Sequence, residues 1–298
     1  VSVIEATNLT KDYGDIRALE SLSLSVDAGE VLGFLGPNGA GKSTTLRLLM
    51  GFARPTSGSA TIKGFDATSK SVDVHRVTAY VPGEASLWPQ LTGAETLALL
   101  ANNRGGVDEQ RQAELVEQFR FDPSRKVGTY SKGNRQKLLL IAAFSARAEV
   151  LLLDEPTDGL DPLMGDVFRS CVVRSANEGA AVLLSSHVLA EVDAVASSVA
   201  ILRAGRLVDQ GSLQQMRHLK ATQMEITFAG DVPDVSAVPG VHVESIDGSR
   251  LRVAVVGNVE PLLKVLATSS VVQLLSHEPS LEEIFREHYE GDETTLRS

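Results

Sequence analysis

Nine consecutive residues, Gly36-Pro37-Asn38-Gly39-Ala40-Gly41-Lys42-Ser43-Thr44, bring together glycines, a cation and hydroxyls in a pattern suited to holding phosphate. The glycines let the backbone wrap closely so that its N–H groups point inward. Lys42 can reach terminal phosphate oxygens, and the Ser43 hydroxyl can ligate Mg²⁺. A second candidate is Val150-Leu151-Leu152-Leu153-Asp154-Glu155-Pro156, an apolar run ending in two acids. In a parallel sheet such acids stand at the carboxyl end of a strand, where ligands collect. Asp154 would then hold a Mg²⁺, mainly through water, and Glu155 would polarise an attacking water. Phosphoryl transfer needs little beyond positioning and charge neutralisation. Each motif alone has a plain reading, a Gly-rich turn or a solvated acidic turn. Their company favours the chemistry.

The elements around these motifs have the expected character. Runs at 31–35, 150–153, 182–184 and 199–202 are short and continuously apolar. Strands buried on both faces of a parallel sheet read this way. Helical patterns fall at 42–52, 94–103, 110–119, 135–146 and 163–177. Alternating strand and helix predicts a doubly wound α/β core, with the phosphate loop between strand 31–35 and helix 42–52. Segments 3–9 and 22–26 alternate apolar and polar residues and read as a small antiparallel appendage. After Gly211, strands are expected at 224–228, 241–246, 251–256 and 271–275 and helices at 259–267 and 281–289, with Pro239-Gly240 and Asp247-Gly248 as turns. The expected division is a nucleotide-binding domain over 1–217, with a helical subdomain over about 84–148, and a small α+β accessory domain over 218–298.

Composition narrows the partners. The 298 residues carry a formal net charge of -10. From Lys220 onward there are 6 Lys and Arg against 13 Asp and Glu, a shift that supports a boundary there. An acidic chain argues against nucleic acid, whose binding draws on an excess of Lys and Arg. Cys171 is the only cysteine, so an internal disulfide is impossible; among Val167, Phe168 and Val172 it reads as a small core residue. No apolar run approaches the roughly 18 residues that span a bilayer. The chain is therefore expected to be soluble, with any membrane role coming through a partner.

Further segments make residues 2–217 resemble the ATP-binding cassette (ABC) ATPases. Tyr130-Ser131-Lys132-Gly133-Asn134-Arg135-Gln136, upstream of the carboxylate pair, looks like the family signature and its following Arg-Gln. The resemblance implies that Ser131, Lys132, Gly133 and Asn134 open a helix that receives the γ-phosphate held by an opposite subunit. Gly159-Leu160-Asp161 resembles the loop in which Asp161 communicates across the dimer. Ser185-Ser186-His187 resembles the switch, with His187 contacting the γ-phosphate and steadying Glu155. Tyr13, in Lys11-Asp12-Tyr13-Gly14, resembles the aromatic platform for adenine. By the same resemblance Ala18 joins Tyr13 and the loop from Gly36 to Thr44 in binding ATP, and Ser43 and Asp154 hold Mg²⁺. Lys42, Glu155 and His187 carry catalysis. The implied fold is a P-loop NTPase core of ABC type with antiparallel β and helical subdomains, plus the C-terminal α+β domain.

Two places depart from the family pattern. In Ala79-Tyr80-Val81-Pro82-Gly83-Glu84, Gly83 stands where the family has a Mg²⁺-ligating Gln, so either Glu84 substitutes after a small shift or water completes the shell. The signature is degenerate at Tyr130, Lys132 and Asn134. With the C-terminal Leu281-Glu282-Glu283-Ile284-Phe285, these departures resemble the drug- and antibiotic-resistance-type exporter ATPases of bacteria. That implies an ATPase dimer, most simply a homodimer, at the cytoplasmic face of the membrane under a separate permease. Trp88, in Ala85-Ser86-Leu87-Trp88-Pro89, is either a permease contact or part of the helical subdomain's own core. Two other functions stay open, a soluble ABC ATPase acting on another macromolecule and a regulatory module that binds nucleotide without hydrolysing it.

Overall fold

The apolar runs do become strands. The computed structural model describes residues 2–84, 86–103, 106–218, 221–277 and 280–283. In chain order its first part contains β1 (Ser2–Tyr13), β2 (Ile16–Asp27), β3 (Val31–Leu35), α1 (Lys42–Leu49), β4 (Ser57–Ile62), β5 (Phe65–Asp66), α2 (Ser71–Val77) and β6 (Thr78–Val81). There follow α3 (Gly93–Asn103), α4 (Glu109–Gln118), α5 (Lys132–Ser145), β7 (Val150–Asp154), α6 (Pro162–Asn177), β8 (Ala181–Ser186), α7 (Leu189–Asp193), β9 (Ser198–Arg203) and β10 (Arg206–Ser212).

A six-stranded sheet runs in the order β10-β9-β3-β8-β7-β6. Its pairings from β9 through β6 are parallel. Every residue of β3, β7 and β8 is buried, as a strand covered on both faces requires. Register fixes what emerges where. Leu35 lies opposite Ser186, Asp154 opposite Ser185, and Val81 opposite Leu153. The residues that follow, at Gly36, Glu155, His187 and Pro82, therefore leave the sheet along one edge. Chemistry written far apart in sequence converges there.

One face of this sheet carries Leu32, Phe34, Leu152, Leu183 and Leu202 into a core shared with Leu46 and Leu49 of α1. The same core takes Ile4, Leu9, Leu22, Val26 and Ile62 from a four-stranded sheet ordered β2-β1-β4-β5. That second sheet is antiparallel, as the alternating segments imply. Elsewhere Phe144 of α5 meets Phe168 of α6 with ring centroids 6.1 Å apart. In the helical region, Phe121 and Tyr130 pack edge to face, and the Tyr130 hydroxyl donates to the Asp122 carbonyl at 2.6 Å. Arg111 of α4 is buried, and its guanidinium is matched by Glu178 just past α6 at 2.6 Å. Removing Glu178 would strand a buried cation. Trp88 is 46% exposed and lies outside the core, which removes the core reading of that residue.

The chain divides into two compact units, 1–210 and 211–298. The division falls a few residues before the expected 217/218 boundary. The second unit contains α8 (Leu213–His218), β11 (Thr222–Phe228), β12 (Val241–Asp247), β13 (Arg250–Val255), α9 (Glu260–Leu266) and β14 (Val271–His277). Its antiparallel sheet, ordered β12-β13-β11-β14, packs Met224, Ile226, Phe228, Leu251, Val253 and Val255 against Leu262 and Leu266 of α9. The expected helix at 281–289 and the Leu281-to-Phe285 motif lie largely outside the described residues. Among those residues, no helix is long and apolar enough to cross a membrane.

Cys171 sits on the buried face of α6, where burial pushes its thiol up to about 11. Thiolate is the reactive form, so the folded chain should resist iodoacetamide at about neutral pH and react once denatured. Mass spectrometry of labelled protein checks this; labelling as fast in the native as in the denatured chain would contradict the packing.

Candidate functional site

The loop after β3 owes its shape to glycine. Gly36, Gly39 and Gly41 have φ of 159°, 82° and 109°. A Cβ on Gly36 would fall 2.4 Å from the Leu202 carbonyl oxygen, and one on Gly41 would fall 2.6 Å from Leu19 and 2.8 Å from the Ala18 carbonyl. Gly39 faces open space. The loop is thus pressed against the protein at its ends and open at its middle, as a cradle for a ligand must be. Ala18 lies at its wall. Gly41 caps α1 in the left-handed region, and Thr45 closes the first turn by donating through both N and Oγ1 to the Gly41 carbonyl, at 2.9 and 3.0 Å. Ser43 and Thr44 follow Lys42 in this first turn, partly exposed. Pro37 and Asn38 are exposed, whereas Ala40 is buried. The Ala40 N–H donates to the Pro37 carbonyl at 3.1 Å.

Lys42 is only 6% exposed. Its ammonium donates to the carbonyl oxygens of Gly36 at 2.6 Å and Pro37 at 3.3 Å, and it stands 3.5 Å from Glu155 Oε1. A buried cation without an anion would be costly. Glu155 is therefore its counter-charge in this arrangement.

The same carboxylate is gripped from a second side. Glu155 Oε2 accepts from His187 Nδ1 at 2.5 Å and from the His187 backbone N–H at 3.3 Å. A carboxylate only accepts, so Nδ1 carries the proton and Nε2 is left as the acceptor nitrogen of the ring. Glu155 itself has φ 47°, a left-handed conformation costing roughly 1–2 kcal/mol for a residue with a side chain. Its backbone N–H is held by the Ser185 carbonyl at 3.0 Å. Asp154 is buried, and the Ser185 hydroxyl donates to its Oδ1 at 2.6 Å. Position 83 adjoins the pair, since a Cβ there would lie 3.4 Å from the Asp154 carbonyl and 3.7 Å from Glu155 Cβ. Those are ordinary contact distances, so a side chain would fit. Glu84 is exposed. Tyr80, on β6, has its phenol pushed up to about 12 by burial and by Asp154, so it adds no charge to the site.

The remaining sequence candidates sort into two groups. Tyr13 ends β1 with its ring 46% exposed and the Lys11 ammonium 4.7 Å from the ring centroid. Ala18 follows on the same hairpin. On α5, Ser131 is the N-cap, accepting from the Asn134 N–H at 3.3 Å, and Lys132 pairs with Asp158. Asp161 caps α6, accepting from the Met164 N–H at 3.0 Å. Gly133 and Gly159 touch through backbone, for a Cβ on Gly133 would fall 2.4 Å from the Gly159 carbonyl oxygen. An exposed ion pair such as Lys132–Asp158 is worth at most about 1 kcal/mol. The two glycines therefore govern this approach more than the ion pair does.

Two supports had no role in the sequence reading. Gln136 is buried, and its amide donates to the Pro156 carbonyl at 2.9 Å, tying α5 to the turn beyond Glu155. Ser185 serves Asp154 and Glu155 together. The available signal was polarity out of place, a serine within a fully buried strand and a glutamine on an apolar helix face.

The residues fit a nucleoside triphosphate and a hard cation. The cradle is open at Gly39, a buried ammonium faces it, and a hydroxyl and a buried carboxylate offer oxygen donors of the kind Mg²⁺ takes. The sequence profile described as "ABC transporter" matches residues 19–158. The uncharacterized ABC transporter ATP-binding protein YhaQ of Bacillus subtilis is 31% identical over 291 residues, covering 94% of this chain and 96% of its own. The daunorubicin/doxorubicin resistance ATP-binding protein DrrA of Streptomyces peucetius is 37% identical, covering 72% of this chain and 66% of its own. A solved structure described as that of an ATP-binding subunit of an ABC transporter superposes with a TM-score of 0.69 at 33% identity, covering 72% of this chain and 92% of that one.

The glycine geometry is directly testable. Gly133→Ala should force the Gly159 turn aside and lower stability by about 1–3 kcal/mol. Gly165→Ala, in open space on α6, should raise it by about 0.5–1 kcal/mol. Denaturant unfolding of the two variants checks both signs; equal shifts would contradict the close approach at Gly133.

Proposed function

Because this chain belongs to the ABC transporter ATP-binding family and is an ATPase, we propose that it drives a bacterial exporter of drug-like or antibiotic-like molecules, docked as a dimer under a separate permease at the cytoplasmic face of the membrane. The observation that carries the catalytic part is the Glu155 carboxylate, held between the Lys42 ammonium and the His187 ring. The drug-type part draws support from the likeness to the resistance protein of Streptomyces peucetius.

In this reading Lys42 exchanges Glu155 for the β and γ oxygens of ATP. The N–H groups of the loop from Gly36 to Thr44 line the phosphates. Tyr13 stacks on adenine, with Ala18 beside it. Glu155, released from Lys42 yet still oriented by His187, takes a proton from the attacking water as it closes on the γ-phosphorus, in line with the departing ADP oxygen. His187 Nε2 faces the γ-phosphate. Mg²⁺, held by Ser43 and Asp154, would neutralise charge on the phosphates. With no side chain at Gly83, water would complete its shell. A second copy presents Ser131, Lys132, Gly133 and Asn134 at the start of its α5, where the helix dipole favours the anion. Asp161 stands at the facing surface. Closing two copies over two ATP and reopening them after hydrolysis is the stroke a permease would convert into alternating access.

Glu155→Gln should bind ATP, dimerise and turn over at least about a hundredfold more slowly, the usual range for removing a positioned base. Lys42→Ala should lose turnover together with binding. Phosphate release and light scattering check both; brisk hydrolysis by Glu155→Gln would place the base elsewhere.

A further inference from the structure

The short helix α7 follows His187, and nothing in the mechanism so far uses it. It is seated firmly. Val192 is fully buried, and a Cβ on Gly33 of β3 would fall 2.2 Å from Val192 Cγ1. Gly33 thus lets α7 press onto the central strand. The residue beside that anchor is Glu191, a partly buried carboxylate.

Glu191 Oε2 accepts from two hydroxyls, that of Thr157 and, at 3.5 Å, that of Ser186. Ser186 in turn accepts from the Val188 N–H at 2.9 Å, closing the turn that carries His187. Thr157 lies two residues past Glu155 and four before Asp161. Its own carbonyl accepts from the Leu160 N–H at 2.9 Å, and the Asp158 N–H returns to the Glu155 carbonyl at 3.2 Å. Gln136 holds the neighbouring Pro156 carbonyl from α5. The turn that follows Glu155 is therefore gripped from α5 through its backbone and from α7 through one side chain. The bridge borders a cavity of about 310 Å³ lined in part by Leu160, Asp161 and Pro162, so room exists for the turn to shift when the grip is lost.

We propose that Glu191 is a positioning residue: through Thr157 it fixes the Glu155-to-Asp161 turn against the His187 turn, and so aligns Glu155 with His187 for hydrolysis. The inference rests on the roles proposed above for Glu155 and His187. Its physical basis is economy of charge. A half-buried carboxylate engaged by hydroxyls adds little stability that an apolar side chain of like size would not. What it adds is direction, since a charged acceptor makes strong, oriented hydrogen bonds. Glu155 needs that direction because its backbone is in a left-handed conformation and a small rotation would swing its carboxylate away from both partners.

The test is steady-state ATP hydrolysis by the full chain with thermal unfolding alongside. Glu191→Ala and Thr157→Val should each lower kcat by about tenfold or more, as misplacement of a catalytic group does, with KM for ATP within about threefold of the unaltered chain. The double variant should be no slower than the worse single one, because both break one bridge. Glu191→Gln and Thr157→Ser, which keep an acceptor and a donor, should recover most of the rate. A kcat within about twofold of the unaltered chain for either Thr157→Val or Glu191→Ala, or losses that multiply in the double variant, would overturn the proposal. If Glu191→Ala does not fold, Thr157→Val, which removes one hydroxyl at nearly constant volume, decides alone. Glu155→Gln run in parallel separates the two claims: turnover equal to the unaltered chain refutes the base itself, whereas a stalled Glu155→Gln beside a fully active Thr157→Val refutes only the bridge.

Discussion

A buried ammonium governs the rest of this site. Lys42 is nearly removed from solvent, and two carbonyl oxygens and one carboxylate surround it. Burying a charge is tolerable only with compensation, and compensation here comes from Glu155, the group proposed to activate water. Site geometry and catalytic readiness are thus one interaction. The loop must curve through three glycines to bring Lys42 there, β7 must end opposite β8 to bring Glu155, and His187 must follow β8 to hold the other carboxylate oxygen. In the proposed cycle the phosphates displace a partner rather than enter a vacant charge.

The supports of that carboxylate come from distant parts of the chain. Ser185 holds its backbone and its neighbour Asp154, Gln136 holds Pro156, and Glu191 holds Thr157. Such partners cost conformational entropy to order. Their concentration around one left-handed residue fits the general tendency for strain to be stored where function requires a fixed direction. The parallel sheet supplies the rigidity: β3, β7 and β8 are buried throughout, and their carboxyl ends define a single edge.

Much of this was legible in the sequence, for reasons that can be named. Strands buried on both faces read as unbroken apolar runs, so β3, β7, β8 and β9 were visible, and with them the ends where Gly36, Glu155 and His187 emerge. The strand β4, Ser-Gly-Ser-Ala-Thr-Ile, was not, because it buries only its last residues and carries three small hydroxyl side chains. Apolar spacing alone starts α5 at 135; the helix begins at Lys132 under the Ser131 cap, where the signature resemblance places its opening. Short α7 has too few residues for a period. Gln136, Ser185 and Glu191 were hidden for another reason. A hydrogen bond to a residue twenty or more positions away leaves no local pattern. Trp88 could be read either way, and burial decided against the core. The degenerate signature also gains a physical account: Lys132 stands where the family has glycine, and Asp158 meets it.

The central claim, that Glu155 occupies Lys42 until a triphosphate replaces it, is tested most directly by calorimetric titration with ATP in the absence of divalent metal, where no turnover intervenes. The Glu155→Gln chain no longer sets a carboxylate against the ammonium, so it should bind ATP more tightly than the unaltered chain, by about tenfold if roughly 1.4 kcal/mol of competing attraction is relieved. Equal or weaker affinity in Glu155→Gln would contradict the exchange and separate the cradle from the carboxylate.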